Sequence, residues 1–95
     1  MAQRLSMVVQ WETKSETKFK KQYKHLDSQI KQRINQAIQE LENSENPANL
    51  GVYKPDMQIF AYNVGKYRII FNVDYEHNKI IFHRVCDHKS VYNKD

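Results

Sequence analysis

A chain of 95 residues with 40% hydrophobic and 27% charged residues suits one small globular domain over 1–95 and excludes a disordered segment or a multi-domain enzyme. The single Cys86 excludes an intramolecular disulfide framework, no Cys/His cluster has zinc-finger spacing, and no apolar run nears the roughly 18 residues of a membrane span. Met1-Ala2-Gln3-Arg4-Leu5 lacks an extended apolar signal segment, so a soluble cytoplasmic protein is expected, and the net charge of +4 favours polyanionic or acidic partners.

Leu5-Ser6-Met7-Val8-Val9-Gln10-Trp11 is short, β-branched and roughly alternating, which predicts a first strand. Thr13-Lys14-Ser15-Glu16 has the spacing of a capping box, in which the Thr13 hydroxyl accepts from the Glu16 N–H and the Glu16 carboxylate reaches back to the Thr13 N–H. The helix predicted to follow carries Phe19, Tyr23 and Leu26 on one stripe. Asp27-Ser28 supplies the next cap. A second helix then places Ile30, Ile34, Ala37, Ile38 and Leu41 on one face, and Asn43-Ser44-Glu45-Asn46-Pro47 ends it. The two stripes predict an antiparallel helical hairpin.

Three further strands are expected, at about Met57–Val64, Tyr67–Asp74 and Lys79–Val85, with turns at Gly65-Lys66 and Glu76-His77-Asn78. Ile69, Phe71 and Val73 alternate with Arg68, Ile70 and Asn72, giving one apolar and one mixed face. Ile80-Ile81-Phe82 suggests a central strand buried on both faces. The expected fold is α+β, ordered β-α-α-β-β-β: a small, mainly antiparallel sheet of about four strands with the helical hairpin on one face.

The stretch Phe60-Ala61-Tyr62-Asn63-Val64-Gly65-Lys66-Tyr67-Arg68-Ile69-Ile70-Phe71 resembles the aromatic-x-x-x-Val-Gly-x-Tyr-Arg-x-x-Tyr/Phe hairpin of the RelE/ParE superfamily of small bacterial and archaeal toxins. Arg84-Val85 leading to Lys89-x-Val91-Tyr92 is similar to that superfamily's C-terminal end, and Leu50-Gly51 sits where it often has a Leu-x-Gly-like turn. The resemblance implies a toxin of a type II toxin–antitoxin system, held in a hetero-oligomer by a cognate antitoxin. Many such toxins cleave messenger RNA in the ribosomal A site, whereas the ParE branch poisons DNA gyrase and some relatives have no demonstrated activity. The reading carried forward is a ribosome-dependent endoribonuclease that inhibits translation, without a metal or a small-molecule cofactor. A gyrase inhibitor that breaks no bond itself and an inactive antitoxin-binding relative are the alternatives.

Cleavage through the ribose 2′-OH needs a base, cations for a phosphorane-like transition state and an acid for the departing 5′-oxygen. On the resemblance, Arg68 clamps the scissile phosphate; on the residues alone it could instead lie exposed and pair with Asp74 or Glu76. His88 is the candidate acid or base, since imidazole titrates near ~6.5 in water. Lys89 adds positive charge, and Tyr92 either stacks on a codon base or closes over the edge of the core. Lys66 and Arg84 are candidate RNA contacts. So are Lys18 and Lys21, within a segment Lys14–Arg33 that holds seven basic residues against two acidic ones. His83 and His77 are read as strand-edge and turn residues, and Cys86 as small and structural. Two basic residues that RelE-type enzymes often carry before Val-Gly fall here at Ala61 and Asn63, which removes half of the usual cationic cradle.

Overall fold

Residues 11–87 are described by the computed structural model, and they form two helices over a five-stranded mixed sheet. In chain order these are β1 (Glu12–Ser15), α1 (Thr17–Lys24), α2 (Ser28–Asn43), a 3-10 turn (Pro47–Asn49), β2 (Val52–Lys54), β3 (Ile59–Val64), β4 (Tyr67–Asp74) and β5 (Lys79–Asp87). The sheet order is β1-β5-β4-β3-β2. Strands β2 to β5 form an antiparallel meander, and β1 adds parallel to β5 with Glu12 opposite Lys79 and Ser15 opposite Phe82. The connection from β1 at one edge to β2 at the other runs through both helices, which is what puts the helical hairpin on one face.

The α+β class and the element order match expectation; the strand count does not. The short β2 hydrogen-bonds to β3 at the sheet edge, and its Val52 and Tyr53 are exposed, so no buried alternation marks it in the sequence. The first strand is also placed later than expected, starting at Glu12 after a buried Trp11, while Leu5–Gln10 fall outside the described residues.

The capping box is not formed. The Glu16 N–H, which would have to receive the Thr13 hydroxyl, instead donates to the Phe82 carbonyl of β5 at 2.9 Å. Thr13 lies within β1, and Glu16 is the residue preceding α1, with no side-chain cap hydrogen bond. Strand pairing therefore holds the backbone extended through Ser15, and helix begins only at Thr17. The second cap is formed as expected: Asp27 Oδ1 accepts from the Ile30 N–H at 3.0 Å, and α2 runs for 16 residues.

The main core lies between the helices and the sheet. Phe19, Ile34, Ala37 and Leu41 from the helices meet Ile69, Phe71, Ile80, Phe82 and Val85 from the strands, with Phe60, Tyr62, Val64 and Tyr67 packed around them. At ~2 kcal/mol per buried large apolar side chain, this face dominates the fold. Trp11 locks the far end of α2: its backbone N–H donates to the Glu42 carbonyl at 3.1 Å, its indole Nε1–H donates to the Ser44 carbonyl at 3.1 Å, and its ring meets Tyr75 edge to face at 5.9 Å. Across the hairpin, the Tyr23 hydroxyl donates to Asn35 Oδ1 at 2.8 Å. No helix among the described residues is long and apolar enough to cross a membrane.

Replacing Ile34, fully buried at the centre of this face, by Ala is expected to destabilise the domain by about 2–5 kcal/mol, read from urea unfolding midpoints. A second outcome concerns Tyr62 of β3, whose hydroxyl donates to Glu40 of α2 and whose pKa is pushed up to about 12 by that bond, by burial and by the Glu40 charge. Because the folded pKa lies above the ordinary 10, the stabilisation is complete below pH 10 and is lost as pH rises through 12. The pair is open to solvent, so Tyr62→Phe should remove about 1 kcal/mol at neutral pH and flatten stability between pH 10 and 12. Equal alkaline unfolding of both proteins would contradict this.

Candidate functional site

The face of the sheet away from the helices carries the chemistry, and an irregularity in β5 decides which side chains it holds. Residues 79–82 pair with 71–74, but Arg84 rather than His83 stands opposite Ile70, so one extra residue is inserted in β5. Strict alternation after Ile80 and Phe82 would turn Arg84 into the core. The bulge reverses the parity, so that Val85 points to the helices at 1% exposure, while Arg84 and Cys86 lie beside Ile70 and Arg68 on the open face. Ile59, Ala61 and Asn63 of β3 share that face, and Ala61 and Ile70 form a small second core with Ile59 and Cys86 against them.

Arg68 lies on the floor of this face with 7% exposure, and its Nε–H donates to Asn63 Oδ1 at 2.9 Å. It is buried, not exposed as the alternative weighed from sequence would have it. Asp74 is engaged by His77: its Oδ2 lies 2.8 Å from His77 Nδ1, and its Oδ1 accepts the N–H groups of Glu76 and His77. The His77 hydrogen bond chiefly holds the Asp74 carboxyl below its ordinary range. Asp74, Glu76 and His77 lie close enough to share a cation, yet those hydrogen bonds already account for them as the turn from β4 to β5.

Asn63 pairs directly with Arg68, and Ala61 with Ile70, so both lie on the open face beside the arginine. Each has a physical role here. Asn63 supplies the acceptor that orients the Arg68 guanidinium, and a cation there would repel it. Ala61 is 3% exposed beneath Ile70, where a long charged side chain has no room.

Other candidates gather at the same end. Lys66 is exposed in the Gly65-Lys66 turn, two residues before Arg68. Gly65 holds φ +63° there, and a Cβ on it would lie 3.2 Å from Arg33 Nη1, which brings an α2 cation beside the turn. Lys18, on exposed α1, and Arg84 both exert their charge on Cys86 across from Arg68. Lys21 is exposed on α1. His88, Lys89 and Tyr92 lie outside the described residues, which end at Asp87 opposite Tyr67.

One open-face residue read as structural from sequence stands out. His83, the extra residue of the bulge, is half-buried with its Nε2 3.3 Å from Asn72 Nδ2 of β4. The signal that could have found it is the spacing of core residues in β5, two from Ile80 to Phe82 but three from Phe82 to Val85. An odd step within a strand requires a bulge.

Burial, followed by the Asp87 charge, pushes the Cys86 thiol up, against the opposing pull of Arg84 and Lys18. Iodoacetamide at pH 7 should therefore alkylate Cys86 several-fold more slowly than a small free thiol, with the rate rising above pH 9. A thiol as fast as the free one at pH 7 would contradict the placement.

The described fold is shared with known toxins. A family model described as "ParE toxin of type II toxin-antitoxin system, parDE" matches residues 9–92. Among solved structures, the RelBE2 toxin–antitoxin complex of Mycobacterium tuberculosis aligns with a TM-score of 0.75 at 19% identity, over 84% of this chain and 93% of that one. The RelB–RelE complex of Methanococcus jannaschii gives 0.63 at 29% identity over 85% and 96%, and the intact Escherichia coli RelBE complex gives 0.65 at 19% over 81% and 95%. No curated protein matches the sequence. With the match spanning nearly the whole chain and the site built on that hairpin, this chain belongs to the RelE/ParE superfamily of type II toxin–antitoxin toxins.

Proposed function

We propose that this toxin inhibits translation as a metal-free endoribonuclease acting on messenger RNA at the ribosome, and that a cognate antitoxin neutralises it. The observation that carries this reading is the diagonal arrangement of Arg68 and Arg84 on the open face, about 7 Å apart along the backbone by ordinary strand geometry, with Arg68 oriented by Asn63. Two guanidinium groups at that separation can share the oxygens of one phosphodiester, and a planar fork fixed by an amide acceptor is already aimed when the substrate arrives.

The reaction itself asks little of the protein. The 2′-oxygen of the substrate attacks the adjacent phosphorus, the P–O5′ bond breaks, and a 2′,3′-cyclic phosphate and a 5′-hydroxyl result. Arg68 and Arg84 offset the charge that builds on the phosphorane oxygens. His88 follows Asp87 in sequence and is the proton-transfer group of this reading; Lys89 adds charge and Tyr92 stacks on a base. Lys18, Lys66 and Arg33, with Lys21 on the same helix as Lys18, supply sequence-independent attraction to ribosomal and messenger phosphates. The nucleophile belongs to the substrate, so the mechanism calls for no metal.

A second reading, inhibition of DNA gyrase without catalysis, draws on two observations: the family model is that of a ParE toxin, and the open-face positions of β3 are Ile59, Ala61 and Asn63, none of them cationic. Primer extension on a message translated in a cell-free system separates the two. Cuts within codons that require translating ribosomes are expected. Arg68→Ala should lower cleavage about 100-fold or more, and Arg68→Lys should restore little because the fork is lost. An intact message, with DNA breaks on induction in cells, would replace this reading with the gyrase one.

A further inference from the structure

The β5 bulge leaves two successive side chains, His83 and Arg84, on the open face. His83 follows core-facing Phe82, and Arg84 is fixed beside Ile70 by its register. His83 is held by Asn72 of the neighbouring strand. Asn72 Nδ2 lies 3.3 Å from His83 Nε2, so the ring is anchored through that nitrogen and its Nδ1 is the one left for another partner. The anchored ring stands beside Arg84, its neighbour in the bulge. Along β4 the open face carries Arg68, Ile70 and Asn72 in steps of about 6.8 Å set by two residues of strand rise; Arg84 stands opposite Ile70, and the bulged His83 reaches the side chain of Asn72, whose register partner is Ile81. That step is close to the distance between successive phosphates of an extended RNA strand.

We propose that His83 is an RNA-contacting residue, donating through Nδ1–H to the backbone phosphate next to the one held by Arg68 and Arg84, and that Asn72 is its positioning residue. This rests on the RNA-cleaving reading above. The subsite distinguishes a phosphodiester strand from a lone phosphate, because its donor serves a neighbouring unit of the chain. It also offsets part of the charge missing at Ala61 and Asn63: the strand is gripped along β5 instead of β3.

The test uses the intact protein and a 2′-O-methyl RNA trinucleotide, which cannot be cleaved, followed by 15N–1H NMR of the imidazole and guanidinium groups. In the free protein His83 Nε2 should show the shift of an unprotonated ring nitrogen. Added trinucleotide should perturb His83 Nδ1 together with Arg68 and Arg84, and His83→Ala should weaken binding about 3- to 10-fold, the worth of one neutral hydrogen bond. His83→Gln is a milder replacement that guards against a folding defect, with backbone spectra as the check. Asn72→Asp is the discriminating variant: a carboxylate there demands a proton on Nε2, moves the lone pair to Nδ1 and should weaken binding at least as much as His83→Ala. A merely structural pair would show no such reversal of tautomer linked to affinity.

A free protein with Nε2 protonated, or a trinucleotide that perturbs Arg68 and Arg84 but not His83, would overturn the subsite and leave the RNA reading intact. A trinucleotide that perturbs none of the three would overturn both.

Discussion

The extra residue in β5 is the constraint on which the open face depends. Ile80, Phe82 and Val85 are each at most 1% exposed against the helices, and burying all three is worth roughly 2 kcal/mol per side chain. An unbroken strand cannot bury them together, because side chains alternate and the interval from Phe82 to Val85 is odd. The chain resolves the conflict by inserting His83. Core packing therefore selects the bulge, and the bulge in turn delivers Arg84 and Cys86 to the face that carries Arg68.

The same face shows how uncharged residues can serve a cationic site. Asn63 is an orienting acceptor that sets the direction of one guanidinium. Ala61 lets Ile70 and Cys86 close a small apolar floor under the arginines. A dry floor lowers the local dielectric and strengthens each remaining charge acting on a phosphate. The surrounding cations, Lys18, Lys66 and Arg33, come from three separate segments that meet at one end of the sheet. Their convergence follows from the parallel return of β1 against β5, which brings α1 over the strand that holds Arg84.

The functional chemistry and the stability of this small domain share the same backbone. Tethers on the helix side, such as Tyr62 to Glu40, Gln22 Oε1 accepting the Val85 N–H at 2.8 Å, and Trp11 across the end of α2, hold the sheet rigid from behind. The Gln22 contact is the most telling. Strand β1 stops opposite Phe82, so past the bulge the Val85 N–H has no strand on that side among the described residues, and a helix side chain completes it. The bulge is thus satisfied from the helix side while His83 and Arg84 lie on the other.

Local pattern alone was enough for the class of the fold, the α2 cap at Asp27, the helical stripes and the β3–β4 hairpin with Gly65 at its turn, because each depends on neighbours within a few residues. The resemblance carried by Val64-Gly65-Lys66-Tyr67-Arg68 pointed to the superfamily for the same reason, as that motif is one contiguous turn and strand. What the sequence could not decide were features set by distant partners. The Thr13–Glu16 pattern has the right spacing for a cap, but pairing with β5 claims the Glu16 N–H. Edge strand β2 buries too little to leave an alternating signature. The burial of Arg68, its bond to Asn63 and the pairing of His83 with Asn72 arise only when β3, β4 and β5 are set in register. Tertiary structure decided that register, since it is fixed by packing Phe71, Phe82 and Val85 against the helices rather than by any local preference.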